Sequence, residues 1–335
     1  TPQLAGGWLE TPEKFAKVFP FDLRPQGQDI IRTWLFSTLL RSQLEHQSLP
    51  WLNAAISGWI LDPDRKKMSK SKGNVVVPNE LLEEHGSDAV RYWAASARLG
   101  TDAAFDIGQM KVGRRLSIKL LNAAKFVLSF ELPETSAGVT ESIDQALIAR
   151  LKEVISETTA SFERYDHTRA LELAETFFWN FTDDYLELVK DRAYGQDGFS
   201  EQQRSSAVLT LRLTLGTIVR ILAPFLPFAT EEIWSWWQDG SVHNSAWPSA
   251  EDLPEAEESP LLDAVASALM AIRKTKSDRQ LSMKAEIANI VISSPHAKLL
   301  NGVAADLRAV GHIVSLEFKP AEITEVVSVE FVAAG

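Results

Sequence analysis

From Gly108 to Trp237 the chain offers no convincing strand, only apolar residues recurring at helical spacing over long stretches. The pattern predicts helices at 108–130, 141–165, 167–193, 200–222 and 227–238. Each apolar stripe has to be buried against another element. The breaks between them are short: Leu132-Pro133, Gly195 to Gly198, and Pro224 to Pro227. Short connections make consecutive helices antiparallel neighbours, so this stretch is expected to form a helical bundle.

The flanks read differently. Asp29 to about Gln43 is predicted helical, with Ile31, Leu35 and Leu39 on one stripe and Ile30 and Trp34 on a neighbouring one. Asn53 to Ile60 reads as a buried strand leading into the turn Asp62-Pro63-Asp64. Past Pro78 the pattern predicts a short helix, Glu80 to His85, and a better one from Ser87 to Leu99. Pro248 to Pro260 carries Glu251, Asp252, Glu255, Glu257 and Glu258 with three prolines, an acidic linker. A helix at 260–275 follows, then a small α/β unit with strands near Ile287–Ser293, Ile313–Phe318 and Val326–Phe331 and a helix at 295–309.

At 335 residues, 45% of them hydrophobic, the chain can fill two or three cores. It has no cysteine, which excludes disulfides and zinc–thiolate sites and fits a cytoplasmic setting. The six histidines, at 46, 85, 167, 243, 296 and 312, show no metal-ligand spacing, so no metal site is expected. No apolar run approaches the roughly 18 to 20 residues of a membrane span, and no signal peptide opens the chain. The net charge of −11 argues against a protein that coats nucleic acid indiscriminately, though local basic patches still decide contact. Thr1-Pro2-Gln3-Leu4 lacks an initiator Met and reads as the inside of a longer chain.

Arg65, Lys66, Lys67, Lys70 and Lys72 put five cations into eight residues with no acid among them. Such a run cannot be buried, because each ammonium would need a partner. Ser69, Ser71, Gly73 and Asn74 make it a loop by composition. Concentrated positive charge of this kind suits a polyphosphate leaving group. Upstream, Gln26-Gly27-Gln28-Asp29 places a glycine just before a helix and an acid in its first turn. There a ligand can approach the backbone closely and a carboxylate can grip a hydroxyl pair.

The string Lys67-Met68-Ser69-Lys70-Ser71-Lys72-Gly73-Asn74 resembles the KMSKS signature of class I aminoacyl-tRNA synthetases. The resemblance implies that Lys70 is the principal catalytic lysine and Lys67 its support, with Met68, Ser69 and Ser71 in the same ATP-binding loop. It also implies that Gly27 and Asp29 hold the ribose of ATP, and that the backbone around Gly58 and Trp59 lines the adenine. Gly-x-Asp-Ile-Ile-x-x-Trp is similar to the valyl branch, and Ser57-Gly58-Trp59-Ile60-Leu61-Asp62 and Gly86-Ser87-Asp88-Ala89-Val90-Arg91-Tyr92-Trp93 extend the likeness. On that basis Ile30 and Trp34, one helical turn apart, would wall a small amino-acid pocket for valine. The substrates implied are valine, ATP with Mg²⁺ and tRNA(Val).

Leu222 to Trp234 and Thr182 to Lys190 resemble the anticodon-binding domain shared by the valyl, isoleucyl, leucyl and methionyl enzymes. Two cationic segments are candidates for tRNA contact: Lys111, Arg114, Arg115 and Lys119, and Arg273, Lys274, Lys276, Arg279 and Lys284. The family's HIGH signature and its editing domain are not found, so the chain is expected to be inactive alone. The fold expected is multi-domain and mainly α. Residues 1–60 would be a C-terminal remnant of the Rossmann-like catalytic domain, and 61–107 the lysine loop and stem-contact region. Residues 108–247 would be the helical anticodon-binding domain, 248–259 the acidic linker, and 260–335 a small α/β domain; a monomer is expected. The alternatives are a sister class I synthetase for isoleucine, leucine or methionine, and a stand-alone tRNA-binding module.

Overall fold

The computed structural model describes residues 2–69, 73–132 and 138–332. The chain divides into two compact units, Thr1–Arg115 with Ser161–Arg169, and Leu116–Ala160 with Ala170–Gly335.

In the first unit α1 (Pro2–Ala5) and α2 (Pro12–Val18) precede β1 (Phe21–Gly27). A 3₁₀ turn, Gln28–Ile30, and a π-helical turn, Ile31–Leu35, lead into α3 (Phe36–His46), which returns the chain to β2 (Trp51–Ser57). β1 and β2 pair in parallel with Gly27 opposite Ser57, as a helical crossover requires. The α-helix expected from Asp29 therefore begins only at Phe36. The sequence gives no sign of β1, because Asp22, Arg24, Pro25 and Gln26 break any apolar alternation and the one buried residue of the strand is the polar Gln26. Leu40, Leu44 and Leu52 lie 47, 72 and 68% exposed, apolar side chains left uncovered among the described residues.

β3 (Ile60–Leu61) pairs in parallel with β4 (Ala103–Ala104). Between them lie α4 (Pro78–His85) and α5 (Ser87–Ala95), separated by Gly86 at φ +87°. α5 stops short of the expected Leu99, where the Ser96 hydroxyl turns back to the Trp93 carbonyl at 2.7 Å. α6 (Ile107–Leu128) starts where Asp106 accepts the Gly108 and Gln109 N–H groups.

The second unit packs the remaining helices. These are α7 (Ser142–Glu163), α8 (His167–Asn180), α9 (Leu186–Ala193), α10 (Glu201–Leu222) and α11 (Pro227–Trp234). Leu120, Ile148, Leu151, Phe178, Leu211 and Ile218 are among the fully buried side chains that form its core. The expected helix over 167–193 is interrupted by a π-helical segment, Phe181–Tyr185. α10 is long enough and on average apolar enough to cross a membrane, but Arg212 and Arg220 interrupt its apolar run and 72% of its apolar window is buried inside the protein. Trp247, just before the linker, donates to the Thr159 hydroxyl of α7 at 2.8 Å.

α12 (Leu261–Asp278) leads to β5 (Ile287–Ser294), α13 (Ala297–Asn301), α14 (Ala304–Gly311), β6 (Ile313–Pro320) and β7 (Glu325–Phe331). β5 is central, parallel to β6 and antiparallel to β7. The single helix expected at 295–309 is two, broken at Gly302 and Val303.

A buried polar network joins these elements. Asp144 of α7 accepts from both terminal nitrogens of Arg192, from the Tyr185 hydroxyl at 2.8 Å and from the Ser206 hydroxyl at 2.6 Å. Arg192 also donates Nε–H to Asp306 of α14 at 3.0 Å. Burial alone would lower the Arg192 pKa, but the Asp144 carboxylate overrides it and carries the value upward. Burial, and then the Asp144 charge, push the Tyr185 phenol well above its ordinary value, so it remains a donor.

Candidate functional site

Three sequence-predicted segments lie in the first unit: the turn after β1, the turn after β2, and the lysine loop. Gly27 ends β1 in extended backbone and Asp29 sits in the 3₁₀ turn, its carboxylate folded back over the glycine. A Cβ at Gly27 would lie 2.8 Å from Asp29 Oδ1, so a side chain there would displace the carboxylate. Asp29 is exposed, as a group that meets a soluble ligand should be.

Ile30 and Trp34 do not stand one α-turn apart as expected. Ile30 ends the 3₁₀ turn and Trp34 lies within the π turn, whose wider winding takes more than four residues to come round. The Trp34 ring is also capped on one face by the Arg24 guanidinium, 3.6 Å from the ring centroid. Ile30 is half-buried and Trp34 partly exposed, and the group that meets the Trp34 ring is a cation, where sequence spacing implied purely apolar surroundings.

At the second turn, Gly58 is packed on backbone: a Cβ would fall 2.1 Å from the Thr101 carbonyl oxygen. Only glycine fits. The Trp59 N–H donates to Asp102 Oδ1 at 2.8 Å, and the same oxygen accepts the Gln28 side-chain amide at 3.3 Å. Trp59 Nε1 is buried and meets no acceptor among the described residues.

The lysine loop is folded around Asp62. Its Oδ1 accepts the Lys66 N–H at 2.8 Å and its Oδ2 accepts the Asn74 side-chain amide at 2.7 Å. Asn74 then accepts the Ser69 N–H at 3.0 Å and donates to the Lys67 carbonyl at 3.3 Å. The bond from Asn74, followed by that from the Lys66 backbone, holds the Asp62 carboxylate below its usual range. Lys67 lays its ammonium over the Trp59 ring, 4.0 Å from the centroid. Met68 and Ser69 are half-buried beside it. Lys70, Ser71 and Lys72 lie outside the described residues.

The cationic candidates separate by environment. Lys111 and Arg115 of α6 are exposed, whereas Arg114 also donates to the Glu84 carbonyl at the end of α4, at 3.1 Å. Lys119 is paired with Asp183 at 2.8 Å. Arg273 is pinned to the π segment, to Asp184 at 2.9 Å and the Asp183 carbonyl at 2.6 Å; Lys274 beside it is exposed. Lys276 has to be corrected. It is 1% exposed and donates to the carbonyls of Met283 and Gly311, both at 2.8 Å, so it cannot reach a phosphate. Burial lowers its pKa.

Asp62, Asn74 and Asp102 organise this region, a role the sequence did not show: it marked Asp62 and Asn74 only as turn and loop residues and Asp102 not at all. Asp62 stood in the turn before the lysines and Asn74 at the end of the signature, so local spacing could have flagged both as partners. Asp102 carries no such signal, because its partners lie 43 and 74 residues away.

The family described as tRNA synthetases class I (I, L, M and V) matches residues 4–106, and that described as the anticodon-binding domain of tRNA ligase matches 144–292. A valine–tRNA ligase of Thermobifida fusca is 54% identical over 100% of this chain and 38% of its own length. One of Leifsonia xyli is 56% identical over 95% of this chain and 38% of its own length. The chain therefore spans well under half of these relatives. Among solved structures, apo methionyl-tRNA synthetase of Mycobacterium tuberculosis superposes with a TM-score of 0.56 at 19% identity, covering 69% of this chain and 46% of its own. The LeuRS of a LeuRS–tRNA–LeuAMS complex from Agrobacterium radiobacter K84 gives 0.54 at 22% identity, over 72% of this chain and 31% of its own. Such distant likenesses carry the fold alone; the two family matches and the valine–tRNA ligase relatives carry the lineage, and the chain belongs to the class I tRNA synthetases of the isoleucine, leucine, methionine and valine group.

Proposed function

We propose that this chain supplies the lysine-loop side of the adenylate-forming site, and a tRNA-binding helical bundle, to a valine–tRNA ligase. The observation that carries the reading is Lys67 over Trp59, in a turn that Asp102 links to Gln28 between Gly27 and Asp29. One cation of the loop thereby stands beside the two turns suited to a nucleoside.

In the reaction proposed, a valine carboxylate oxygen attacks the α-phosphorus of ATP. A new P–O bond forms, the bond from the α-phosphorus to the bridging oxygen breaks, and pyrophosphate leaves with that electron pair. Mg²⁺ arrives with ATP as part of the substrate; no group of three or more His, Cys, Asp or Glu suited to a metal occurs among the described residues. The protein's work is alignment and charge stabilisation. Asp29 accepts the ribose hydroxyls and Gly27 lets the sugar approach. The Gly58–Trp59 backbone lines the adenine, and Ile30 and Trp34 border the valine side chain. Lys70, supported by Lys67 and by Met68, Ser69 and Ser71, takes the charge that builds on the departing phosphates. In the second step the valyl group passes to tRNA(Val), and backbone contact would come from Lys111, Arg114, Arg115, Arg273 and Lys274. Residues 1–60, 61–107, 108–247, 248–259 and 260–335 are assigned as catalytic remnant, lysine loop with stem contact, anticodon bundle, linker and terminal α/β domain, in a cytoplasmic monomer.

Amino-acid-dependent pyrophosphate exchange tests this. The full-length protein should exchange with valine, and exchange with isoleucine, leucine or methionine instead would transfer it to a sister enzyme. The 335-residue chain alone should show none above background. In the full-length protein Lys70→Ala should slow adenylate formation far more than it weakens tRNA binding. Normal exchange kinetics in that variant would refute the role of Lys70.

A further inference from the structure

We infer that Asp102 is a positioning residue of the nucleotide subsite, setting the distance between the Gly27–Asp29 turn and the Gly58–Trp59 turn without itself touching the nucleotide. The inference rests on the reading of those turns as ribose and adenine contacts.

Two bonds converge on one carboxylate oxygen, from the Gln28 amide and from the Trp59 backbone. Gln28 lies between Gly27 and Asp29, and Trp59 follows Gly58, so each bond fixes one wall of the proposed subsite. A carboxylate accepts two such donors at once and strengthens both by its charge. The backbone of Thr101 and Asp102 is itself immobilised, because Gly58 packs directly on the Thr101 carbonyl. The chain on either side of Asp102 is tied down too, by Gly100 N–H to the Ile56 carbonyl at 2.8 Å and Ala103 N–H to the Trp59 carbonyl at 2.9 Å. These last bonds are backbone to backbone. They persist when the Asp102 side chain is removed, so the strand pair does not need the carboxylate and the link to Gln28 does.

The test uses the full-length protein and measures MgATP affinity by displacement of a fluorescent ATP analogue. Asp102→Ala should weaken MgATP about ten-fold, with valine affinity and thermal midpoint close to wild type. Asp102→Asn keeps an oxygen that accepts both bonds and should stay within about three-fold of wild type. Gln28→Ala should weaken MgATP in part, and adding it to Asp102→Ala should cost nothing more, since both remove the same link. Unchanged MgATP affinity in Asp102→Ala overturns the inference, as does equal loss in the Ala and Asn variants or a parallel loss of valine affinity and thermal midpoint. Valine-dependent exchange by the wild type is measured separately. If it is absent while MgATP affinity still separates the variants as described, the functional reading falls and the positioning role stands. A wild type that binds no MgATP sinks both.

Discussion

Arg192 and Asp144 meet side on, with Nη1 to Oδ2 and Nη2 to Oδ1 both at 2.8 Å. The pair is all but sealed from water, at 1% and 0% exposure. Deleting one partner strands the other's charge. Arg192→Leu should cost about 3–5 kcal/mol of stability in urea unfolding, and Arg192→Leu with Asp144→Leu should recover much of that loss. A double variant no better than the single would mean that the groups still left unpaired, the Tyr185 and Ser206 hydroxyls and the Asp306 carboxyl, dominate the energetics.

Asp306 supplies a pH dependence with a definite sign. Burial raises its carboxyl to about 6, against an ordinary value of 3.8, with Arg192 opposing the shift. Between those values the folded chain holds a proton that the unfolded chain releases. Its contribution to stability is therefore full below about pH 4 and is lost as pH rises through 6. The informative quantity is wild type minus Asp306→Asn, which isolates this carboxyl. That difference should fall by up to about 3 kcal/mol from pH 4 to pH 7 in urea unfolding monitored by circular dichroism. A flat difference would remove Asp306 from the pH response.

Gly58 and Gly27 separate packing from binding. At Gly58 the obstacle to a Cβ is backbone, so Gly58→Ala should destabilise the first unit by about 1–3 kcal/mol. At Gly27 the obstacle is only the Asp29 carboxylate, which can swing away. Gly27→Ala should leave the thermal midpoint nearly unchanged and still weaken MgATP. Calorimetry and nucleotide titration on the two variants check the contrast.

Lys276 and Lys111 differ in the same manner. Lys111→Ala should lower tRNA affinity and reduce the salt slope of binding by about one unit if it meets a phosphate. Lys276→Met should leave that slope unchanged and lower stability instead, because the Met283 and Gly311 carbonyls lose their donor.

Much of the second unit was legible because periodicity is a local signal. α10 begins where Ser200 and Gln203 form a capping box and ends near the Pro224 break, and α6 and α7 fall within two residues of their predicted spans. The π segment at Phe181–Tyr185 was not legible, since Thr182 to Tyr185 continue a helical pattern and the altered winding is fixed by packing. The lysine loop announced itself by composition and signature. Its brace did not, because Asp62 and Asn74 look like ordinary turn residues until they are seen bonded to each other. β1 and Asp102 were hidden for a related reason: each is defined by a partner remote in sequence.

The ammonium of Lys276 also bears on how such chains can be cut and recombined. The anticodon-binding family match stops at residue 292, inside β5, yet the Gly311 carbonyl that receives Lys276 lies beyond it, as does the Asp306 carboxylate that receives Arg192. A chimera joined at that boundary would import a foreign surface to meet two buried cations. Grafts between relatives should therefore keep α7 to α14 as one inherited block, which is longer than the domain by which the family is recognised.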